Sequence, residues 1–201
     1  MRRRPSTSQH RRAAPPGRVR IVAGKWRGRR LDVADVPELR PTSERIRETL
    51  FNWIAPRIEG SRCLDLFAGS GVLGLEALSR GAAAVQFVER DPRAVRFLRD
   101  SVDNLGAEHA VVHGVDALRF LQAAEPAAHD FVFLDPPYSF DNLEALCGLL
   151  EGRGWLAQGA SVYVEQDARK AAATLPPGWT VRREKKAGNV RYLLADVAAA
   201  P

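Results

Sequence analysis

The stretch that decides the fold is LDLFAGSGVLGLEAL, residues Leu64–Leu78. Gly69, Gly71 and Gly74 form a G-x-G-x-x-G arrangement between a short apolar run and a helical pattern. The first glycine permits a tight turn, the second lets a ligand approach the main chain, and the third lets the helix lie close to the sheet. The stretch therefore predicts a strand, a cofactor-binding loop and a helix, in that order.

Strand and helix patterns alternate along the chain after this loop. One helix is predicted to start at Pro92 and to stop at Gly106, and apolar runs on either side of it predict strands. Such alternation predicts an α/β, Rossmann-like fold, in which a doubly wound, mostly parallel sheet carries helices on both faces. Residues 179–197 predict a C-terminal hairpin that adds an antiparallel strand to the sheet.

The segment before the loop has a different pattern. RVRIVAGKWRGRRLDV, Arg18–Val33, predicts a basic β-hairpin, and the next segment predicts a helix capped by Thr42 or Ser43 and ended by Pro56. We therefore expect three parts. They are a disordered basic tail over 1–17, an RNA-binding appendage of hairpin and helix over 18–58, and a catalytic domain over 59–201.

Charge is unevenly placed along the chain. Residues 1–30 hold eleven Lys and Arg and no Asp or Glu, which leaves 19 basic against 24 acidic residues in the remainder. The net charge of +6 therefore comes entirely from the N-terminal residues. A basic segment of this kind favours a polyanion such as nucleic acid as partner. A solvated tail is an equally good interpretation of residues 1–17. We expect a cytoplasmic protein with no membrane partner and no metal, because long apolar runs and clustered histidines are lacking.

Carboxylates near the glycine loop indicate which cofactor it holds. Glu89 ends the next predicted strand, twenty residues after Gly69, where a carboxylate can accept both hydroxyls of a ribose. Asp65 precedes the loop and could hold a methionine amino group, which favours S-adenosylmethionine over NAD(P). Asp116 could accept the adenine amine, or it could equally cap a helix.

The run DFVFLDPPYSF, residues 130–140, ends a predicted strand in an unusual way. This strand lies next to the first one in a doubly wound sheet, so Asp135 is expected beside the glycine loop. Pro136 and Pro137 fix the main chain and remove two N–H donors, so that carbonyl oxygens face the site. An acid and a carbonyl together can hold an –NH₂ group, and Tyr138 can stack on a base. The run therefore predicts methyl transfer to the exocyclic amine of a nucleobase.

These motifs carry a family resemblance. LDLFAGSG, VERD and DPPY resemble class I S-adenosylmethionine-dependent amino-methyltransferases of nucleic acids. More narrowly, RIVAGKWRGRRL, RPTSERIRETLFNWI and LDLFAGSGVLGLEALSRGA resemble the RsmD family of 16S rRNA guanine-N2 methyltransferases, over residues 18 to about 195. The resemblance implies S-adenosyl-L-methionine as cofactor and 16S rRNA within a partly assembled small ribosomal subunit as substrate, and we expect a monomer.

Site residues follow from the motifs and from the resemblance together. The expected catalytic loop is Asp135, Pro136, Pro137 and Tyr138. The expected cofactor-binding residues are Asp65, Phe67, Ala68, Gly69, Ser70, Gly71, Glu89, Arg90, Asp116 and Ala117. The expected substrate-binding residues are Arg18, Arg20, Lys25, Trp26, Arg27, Arg29, Arg30, Arg40, Pro41, Thr42 and Arg45. The alternatives are a DNA or RNA adenine or cytosine amino-methyltransferase, a non-catalytic RNA-binding ribosome assembly factor and, more remotely, an NAD-dependent oxidoreductase.

Overall fold

The structure, a computed structural model, describes residues 17–36 and 42–198. Its strands are β1 Gly17–Arg20, β2 Arg30–Val33, β3 Arg62–Asp65, β4 Ala84–Glu89, β5 Ala110–Gly114, β6 His129–Leu134, β7 Leu156–Asp167, β8 Trp179–Ala187 and β9 Val190–Val197. Its helices are α1 Glu44–Ile58, α2 Val72–Ser79, α3 Pro92–Leu105, α4 Ala117–Ala123 and α5 Leu143–Gly152. Most of the tail predicted over residues 1–17 lies outside the described residues.

Seven strands form one sheet in the order β5-β4-β3-β6-β7-β9-β8. The first five strands in this order, β5, β4, β3, β6 and β7, run parallel to one another. Strand β9 pairs antiparallel with both β7 and β8. The predicted α/β, doubly wound fold with an antiparallel C-terminal hairpin is thus confirmed. In particular β6 lies next to β3, so the chain after β6 leaves the sheet beside the glycine loop.

The N-terminal hairpin and helix also form as predicted. Strands β1 and β2 pair antiparallel, with Arg20 opposite Arg30, and the Ser43 side chain caps α1 by accepting from the Ile46 N–H. The prediction that Pro56 ends the helix is wrong, since α1 continues to Ile58. Pro56 lies on the exposed side, where the main-chain carbonyl that it leaves without a hydrogen bond can face water. Burial of Ile58 favours continuing the helix for two residues beyond Pro56.

The hydrophobic core lies on both faces of the sheet. One cluster packs α1, α2 and α3 against one face, and the other packs α4 and α5 against the opposite face. Ile21, Trp26 and Leu31 from the hairpin region belong to the first cluster, together with Phe87 of β4 and Tyr163 of β7. The segment that the sequence predicts as an appendage therefore shares one core with the sheet.

A buried ion pair joins the hairpin to the sheet-facing helices. Arg47 of α1 and Glu76 of α2 are 1% and 0% exposed, and their Nη1 and Oε2 atoms lie 3.6 Å apart. Glu76 also accepts from the main-chain N–H groups of Val22 and Ala23 at 2.7 and 2.9 Å. Arg47 donates to the carbonyl of Arg20 at 2.9 Å. Each charge is thus surrounded by hydrogen-bond partners, as a buried pair requires.

A serine at the end of α2 completes this attachment. The Ser79 hydroxyl accepts from the Trp26 N–H at 2.9 Å and donates to the Ala23 carbonyl, while its own carbonyl accepts from the Lys25 N–H at 2.7 Å. Gly24 lies in this contact with φ +80°, and a Cβ atom there would be 1.8 Å from the Ser79 carbonyl oxygen. Only glycine fits at this position.

Two negative findings concern the described part of the chain. No helix within residues 17–36 and 42–198 is long and apolar enough to cross a membrane. In the same residues, no three His, Cys, Asp or Glu side chains come together as a metal ion would need. Cys63 and Cys147 are both buried without a disulfide.

Candidate active site

Three carboxylates meet at one edge of the sheet. Asp65 is the last residue of β3, Glu89 is the last of β4, and Asp135 directly follows β6. Since these strands are neighbours and parallel, their carboxyl ends lie side by side at the edge where ligands bind in such sheets. The structure therefore brings together three of the acids that the sequence predicts for the site.

Asp65 is a buried carboxylate, and one of its two oxygens accepts a hydrogen bond. Its side chain is 1% exposed, and Oδ2 accepts from the Gly74 N–H at 3.1 Å. Oδ1 is buried and has no hydrogen-bond partner within the described residues. Burial raises the pKa of Asp65 to about 7, with the Gly74 hydrogen bond acting in the opposite direction. A cationic group placed at Oδ1 would satisfy that oxygen and favour the ionised form.

The glycine loop has the tight packing that its sequence predicts. Gly71 has φ +74° and caps α2, and a Cβ atom there would come within 2.2 Å of Leu98. A Cβ atom on Gly74 would come within 2.3 Å of Phe87 in β4, so this glycine does allow the helix to lie against the sheet. The main chain of the loop is therefore held in one shape, with its N–H groups at the start of α2.

Glu89 holds the loop to the neighbouring strand. Its Oε2 atom accepts from the Gly69 N–H at 2.8 Å, and Oε1 accepts from the Asp91 N–H at 2.7 Å. Each oxygen keeps a further lone pair for a hydroxyl donor. The predicted ribose contact stays a prediction, and the structure adds that Glu89 fixes the turn after β4.

Other predicted cofactor residues surround the same edge. The Asp116 side chain caps α4 by accepting from its main chain, so the helix-cap interpretation is confirmed, and Ala117 begins that helix. Arg90 is exposed directly after Glu89, and Phe67 packs edge-on against Phe140 with ring centroids 5.1 Å apart. Together with the free oxygen of Asp65 and the glycine loop, these residues fit S-adenosylmethionine.

Asp135 is tied to the segment before α1. Its Oδ2 atom accepts from the Thr42 hydroxyl at 2.8 Å, although the two residues are 93 positions apart. Burial raises the pKa of Asp135 to about 6, while the Thr42 hydrogen bond lowers it. At neutral pH the carboxylate is therefore an ionised acceptor in a poorly hydrated position.

The loop that follows Asp135 is braced on its far side. Lys170, after β7, donates to the Tyr138 carbonyl at 2.6 Å and to Asp141 at 2.9 Å. The Phe140 N–H closes a turn onto the Pro137 carbonyl at 2.8 Å. The Tyr138 side chain is 44% exposed, so its ring is accessible to a base while its main chain is fixed.

One acid at the site, Glu165, is not among the residues that the sequence predicts there. Glu165 of β7 is 5% exposed, and its Oε1 atom accepts from the Tyr163 hydroxyl at 2.8 Å. Burial raises the pKa of Glu165 well above its ordinary value, and the nearby Asp135 charge adds to this. The available signal was an acid inside the apolar run ASVYVEQD, which the sequence predicts only as a strand.

Known proteins resemble this chain in both sequence and structure. A family model described as "Conserved hypothetical protein 95" matches residues 19–196. The chain is 48% identical over 178 residues to the ribosomal RNA small subunit methyltransferase D of Escherichia coli (strain K12), and the match covers 89% of each chain. This chain belongs to the RsmD family. The family resemblance noted from the motifs is thereby confirmed.

Solved structures agree with the RsmD assignment. A structure titled putative methyltransferase yhhF from Escherichia coli superposes with a TM-score of 0.85 at 45% identity, covering 92% of this chain and 100% of that one. An RNA methyltransferase from Salinibacter ruber, solved in complex with S-adenosyl-L-homocysteine, superposes with a TM-score of 0.61 at 17% identity. That match covers 81% of this chain and 96% of the other, and it shows a shared class I methyltransferase fold.

The predicted substrate-binding residues of this RsmD chain fall into three groups. The following are exposed: Arg18, Arg20, Lys25, Arg27, Arg29, Arg30 and Arg45. Trp26 is only 8% exposed because its ring packs in the core, so the prediction that it contacts RNA is corrected to a structural role. Thr42 is buried against Asp135, whereas Arg40 and Pro41 lie outside the described residues.

Proposed function

We propose that this protein is an S-adenosylmethionine-dependent rRNA methyltransferase that modifies the exocyclic N2 amine of a guanine in 16S rRNA. We further propose that its substrate is a partly assembled small ribosomal subunit. The observation that carries the proposal is Asp135, an ionised, half-buried acceptor fixed beside the glycine loop at the carboxyl end of β6. The name of the Escherichia coli relative supports ribosomal RNA as the substrate class.

The residues of the DPPY loop can hold and orient an amine. The Asp135 carboxylate and the Pro136 carbonyl are two acceptors for the two hydrogens of an –NH₂ group. Holding both hydrogens turns the nitrogen lone pair away from the ring and toward the position beside the glycine loop. Bound S-adenosylmethionine supplies the electrophilic methyl group there. The nitrogen becomes acidic once methylated and would then release one hydrogen as a proton to water or to Asp135. Because Asp135 needs only to accept hydrogen bonds before the methyl transfer, positioning accounts for most of the rate enhancement.

Tyr138 offers the target base a surface on which to stack. Its ring is accessible and its main chain is fixed by Lys170, so stacking costs little further ordering. Stacking of one base on an aromatic ring contributes about 1–3 kcal/mol. Extruding a base from a helix costs a few kcal/mol and costs less when the base is unpaired. The stacking energy is therefore of the right size to offset extrusion.

The cofactor follows from Asp65, the glycine loop and Glu89. The Oδ1 atom of Asp65 would pair with the methionine ammonium, and Glu89 would accept from the ribose hydroxyls. The Salinibacter ruber neighbour, which shares the fold, was crystallised with the demethylated form of the same cofactor. This supports a methyl donor, and not a nicotinamide, at the sheet edge.

A basic surface next to the site suits the RNA backbone. Arg29 donates to the Asn104 carbonyl at the end of α3, which places the hairpin beside that helix. Next to α3, a groove of about 440 Å³ is lined by residues that include Arg90, which precedes the helix, and Arg96 and Arg99, which lie on it. We propose that hairpin and α3 arginines bind phosphates together. Replacing one phosphate-binding arginine by Ala should reduce the salt dependence of RNA affinity by about 0.7–0.9 in log-log slope.

The decisive experiment maps methyl-guanine in 16S rRNA by mass spectrometry, from cells with and without the gene for this protein. The purified protein is then assayed on small-subunit particles, free 16S rRNA and duplex DNA. We expect one methylguanine to disappear in cells lacking the protein and to be restored in particles by the purified wild type. Asp135→Ala should be inactive while Glu144→Ala, an exposed acid on α5, should be fully active. Methylation of DNA alone, or an active Asp135→Ala, would refute the proposal.

A further inference from the structure

The outer strand β8 carries a basic segment that has no role in the proposed function so far. Residues 182–186, RREKK, hold four basic residues and one acid, whereas residues 31–201 together hold 19 basic and 24 acidic residues. All five side chains are exposed. Strand β8 is the last strand in the order of the sheet, and among the described strands it pairs only with β9. Positive charge is therefore concentrated on one edge of a mildly acidic domain.

The acids nearest to this segment are already paired. Oδ2 of Asp196 lies 2.9 Å from Nη1 of Arg182, and Oε1 of Glu184 lies 3.4 Å from Nε of Arg191. Three exposed cations of β8 form no ion pair within residues 17–36 and 42–198, and we call them the basic edge: Arg183, Lys185 and Lys186. Exposed cations without acid partners can bind the phosphates of a polyanion.

The basic edge lies at the same end of the sheet as the catalytic loop. Strand β8 runs antiparallel to β9, which runs antiparallel to β7, so β8 and β7 end at the same side of the sheet. The turn between β8 and β9 is bonded to the loop after β7, since the Ala168 N–H donates to the Asn189 carbonyl at 2.8 Å. In that loop, Lys170 donates to the Tyr138 carbonyl at 2.6 Å. Hydrogen bonds thus connect the end of β8 to the loop that would hold the target base.

The candidate active site lies between the basic edge and the arginines of the hairpin and α3. In the sheet order, β6 is separated from β8 by β7 and β9, which places the two strands about 14 Å apart at about 4.8 Å per strand. Helix α3 connects β4 to β5, toward the opposite edge of the sheet. An RNA strand whose base enters the site would therefore have basic side chains on both flanks, within a few nucleotides of that base.

Charged residues on an edge strand also have a simpler use, which is to prevent pairing with other chains. Strand β8 has a second device for that purpose, because its register with β9 shifts between Val181 and Arg183. Blocking an edge needs charge but no particular sign. The single sign of the three unpaired residues therefore favours binding of a polyanion over edge protection alone.

We propose that the basic edge is a second RNA-binding surface, whose cations bind backbone phosphates on the side of the target base that faces away from the hairpin. Phosphate contacts position a nucleic acid without reading its sequence. This surface would therefore add affinity and fix the direction of the RNA strand across the site. The inference rests on the proposed function for the identity of the RNA, but it does not depend on which base is methylated.

Charge reversal separates an RNA contact from edge protection. Lys185→Glu, Lys186→Glu and the double variant keep the edge charged, so a purely protective role predicts unchanged RNA binding. Affinity for a 16S rRNA transcript is measured by filter binding over a range of salt concentrations. Each lost phosphate contact should reduce the log-log salt slope by about 0.7–0.9, which weakens binding about 4- to 6-fold at about 0.15 M salt. The double variant should bind at least about 14- to 30-fold more weakly than wild type.

The matched control for each single variant is Arg153→Glu, which reverses one charge elsewhere. Arg153 is exposed between α5 and β7, at the start of that strand, and so lies at the opposite end of the sheet from the site. Its reversal should leave RNA affinity and the salt slope unchanged.

Methylation of small-subunit particles gives a second measurement. In the double variant KM for particles should rise while kcat stays unchanged, because the basic edge is remote from the reacting atoms. Wild-type RNA affinity in that variant would overturn the inference. A raised KM for particles with unchanged RNA affinity would also overturn it, since the surface would then contact a ribosomal protein.

A neutral variant keeps the test decisive if charge reversal prevents folding. Lys185→Gln with Lys186→Gln leaves the edge polar and should still show the smaller salt slope; a wild-type slope in this variant would overturn the inference. Wild-type protein that binds 16S rRNA but methylates no guanine would instead refute the proposed function, and the comparison of RNA affinities would stand independently of it.

Discussion

Replacing Glu76 by Gln tests how firmly the N-terminal hairpin is joined to the rest of the fold. Gln has nearly the same shape, and its one oxygen can still accept from one of the Val22 and Ala23 N–H groups, which bond to different oxygens of Glu76. It removes the charge, however, and leaves the Arg47 guanidinium, 1% exposed, without its carboxylate partner. Removing one partner of a buried ion pair typically costs about 3–5 kcal/mol. For a chain of this size each kcal/mol lowers Tm by about 2–4 °C. We therefore expect Tm to fall by about 6–20 °C.

Thermal unfolding followed by calorimetry or circular dichroism measures this change. The matched control is Asp32→Asn, which breaks the ion pair between Arg18 and Asp32, whose side chains are 62% and 51% exposed. Exposed pairs contribute about 0–1 kcal/mol, so the control should move Tm by only a few degrees. Equal decreases of Tm in the two variants would refute the reasoning.

A double variant separates the charge from the change in packing. Arg47→Met with Glu76→Gln removes both charges of the pair but keeps one amide oxygen, which can accept from one of the two hairpin N–H groups. The two destabilising effects should not add, and the coupling between buried partners should be at least about 0.5 kcal/mol. RNA affinity should fall in Glu76→Gln and partly recover in the double variant, because the hairpin arginines depend on this attachment for their position.

Three further predictions concern the loop contact, the cofactor pocket and the base stack. Gly24→Ala would place a Cβ atom 1.8 Å from the Ser79 carbonyl oxygen at φ +80°, so it should lower the free energy of unfolding by more than about 1 kcal/mol. An unchanged Tm would contradict the close contact between this loop and α2. Burial raises the pKa of Asp65 from 3.8 to about 7, so the stability of the ligand-free protein should fall as pH rises through that range. Asp65→Asn should remove this pH-dependent decrease and raise Tm at about pH 8, and calorimetry should show weaker binding of S-adenosylhomocysteine. A lower Tm of the variant at that pH would contradict the prediction. Tyr138→Ala should lower kcat/KM by about 5- to 150-fold, whereas Tyr138→Phe, which keeps the ring, should leave kcat/KM unchanged. Equal decreases in both variants would exclude stacking as the role of the ring.

The fold could be predicted because the residues that determine each helix and strand lie close to it in the sequence. The glycines of the loop, the Pro92 start and the Gly106 stop of α3 act within a few residues of the structures they determine. The positions of Asp65 and Glu89 could be predicted in the same way, since each is the last residue of a strand next to the loop. Parallel order then brings them together without further information.

The remainder of the site depends on contacts that no local pattern encodes. Thr42 meets Asp135 across 93 positions, and the place of Glu165 at the site depends on which strand lies next to β6. Trp26 follows a lysine in a basic segment, which is typical of an RNA contact, yet its ring is buried in the core beneath the loop that Ser79 holds. Pro56 is tolerated because it faces solvent near the end of α1. Each of these outcomes is decided by tertiary packing.

The attachment of the hairpin to α2 has a consequence for synthesis of the chain. Val22, Ala23 and Trp26 find their partners 53 or 54 residues later, at Glu76 and Ser79. Translation is slow compared with local folding, so the basic segment leaves the ribosome well before α2 exists to receive it. During that interval its arginines are exposed at the surface of a particle made largely of RNA. The contacts with Glu76 and Ser79 therefore determine when the hairpin arginines, which stay exposed in the folded chain, take up fixed positions beside the site.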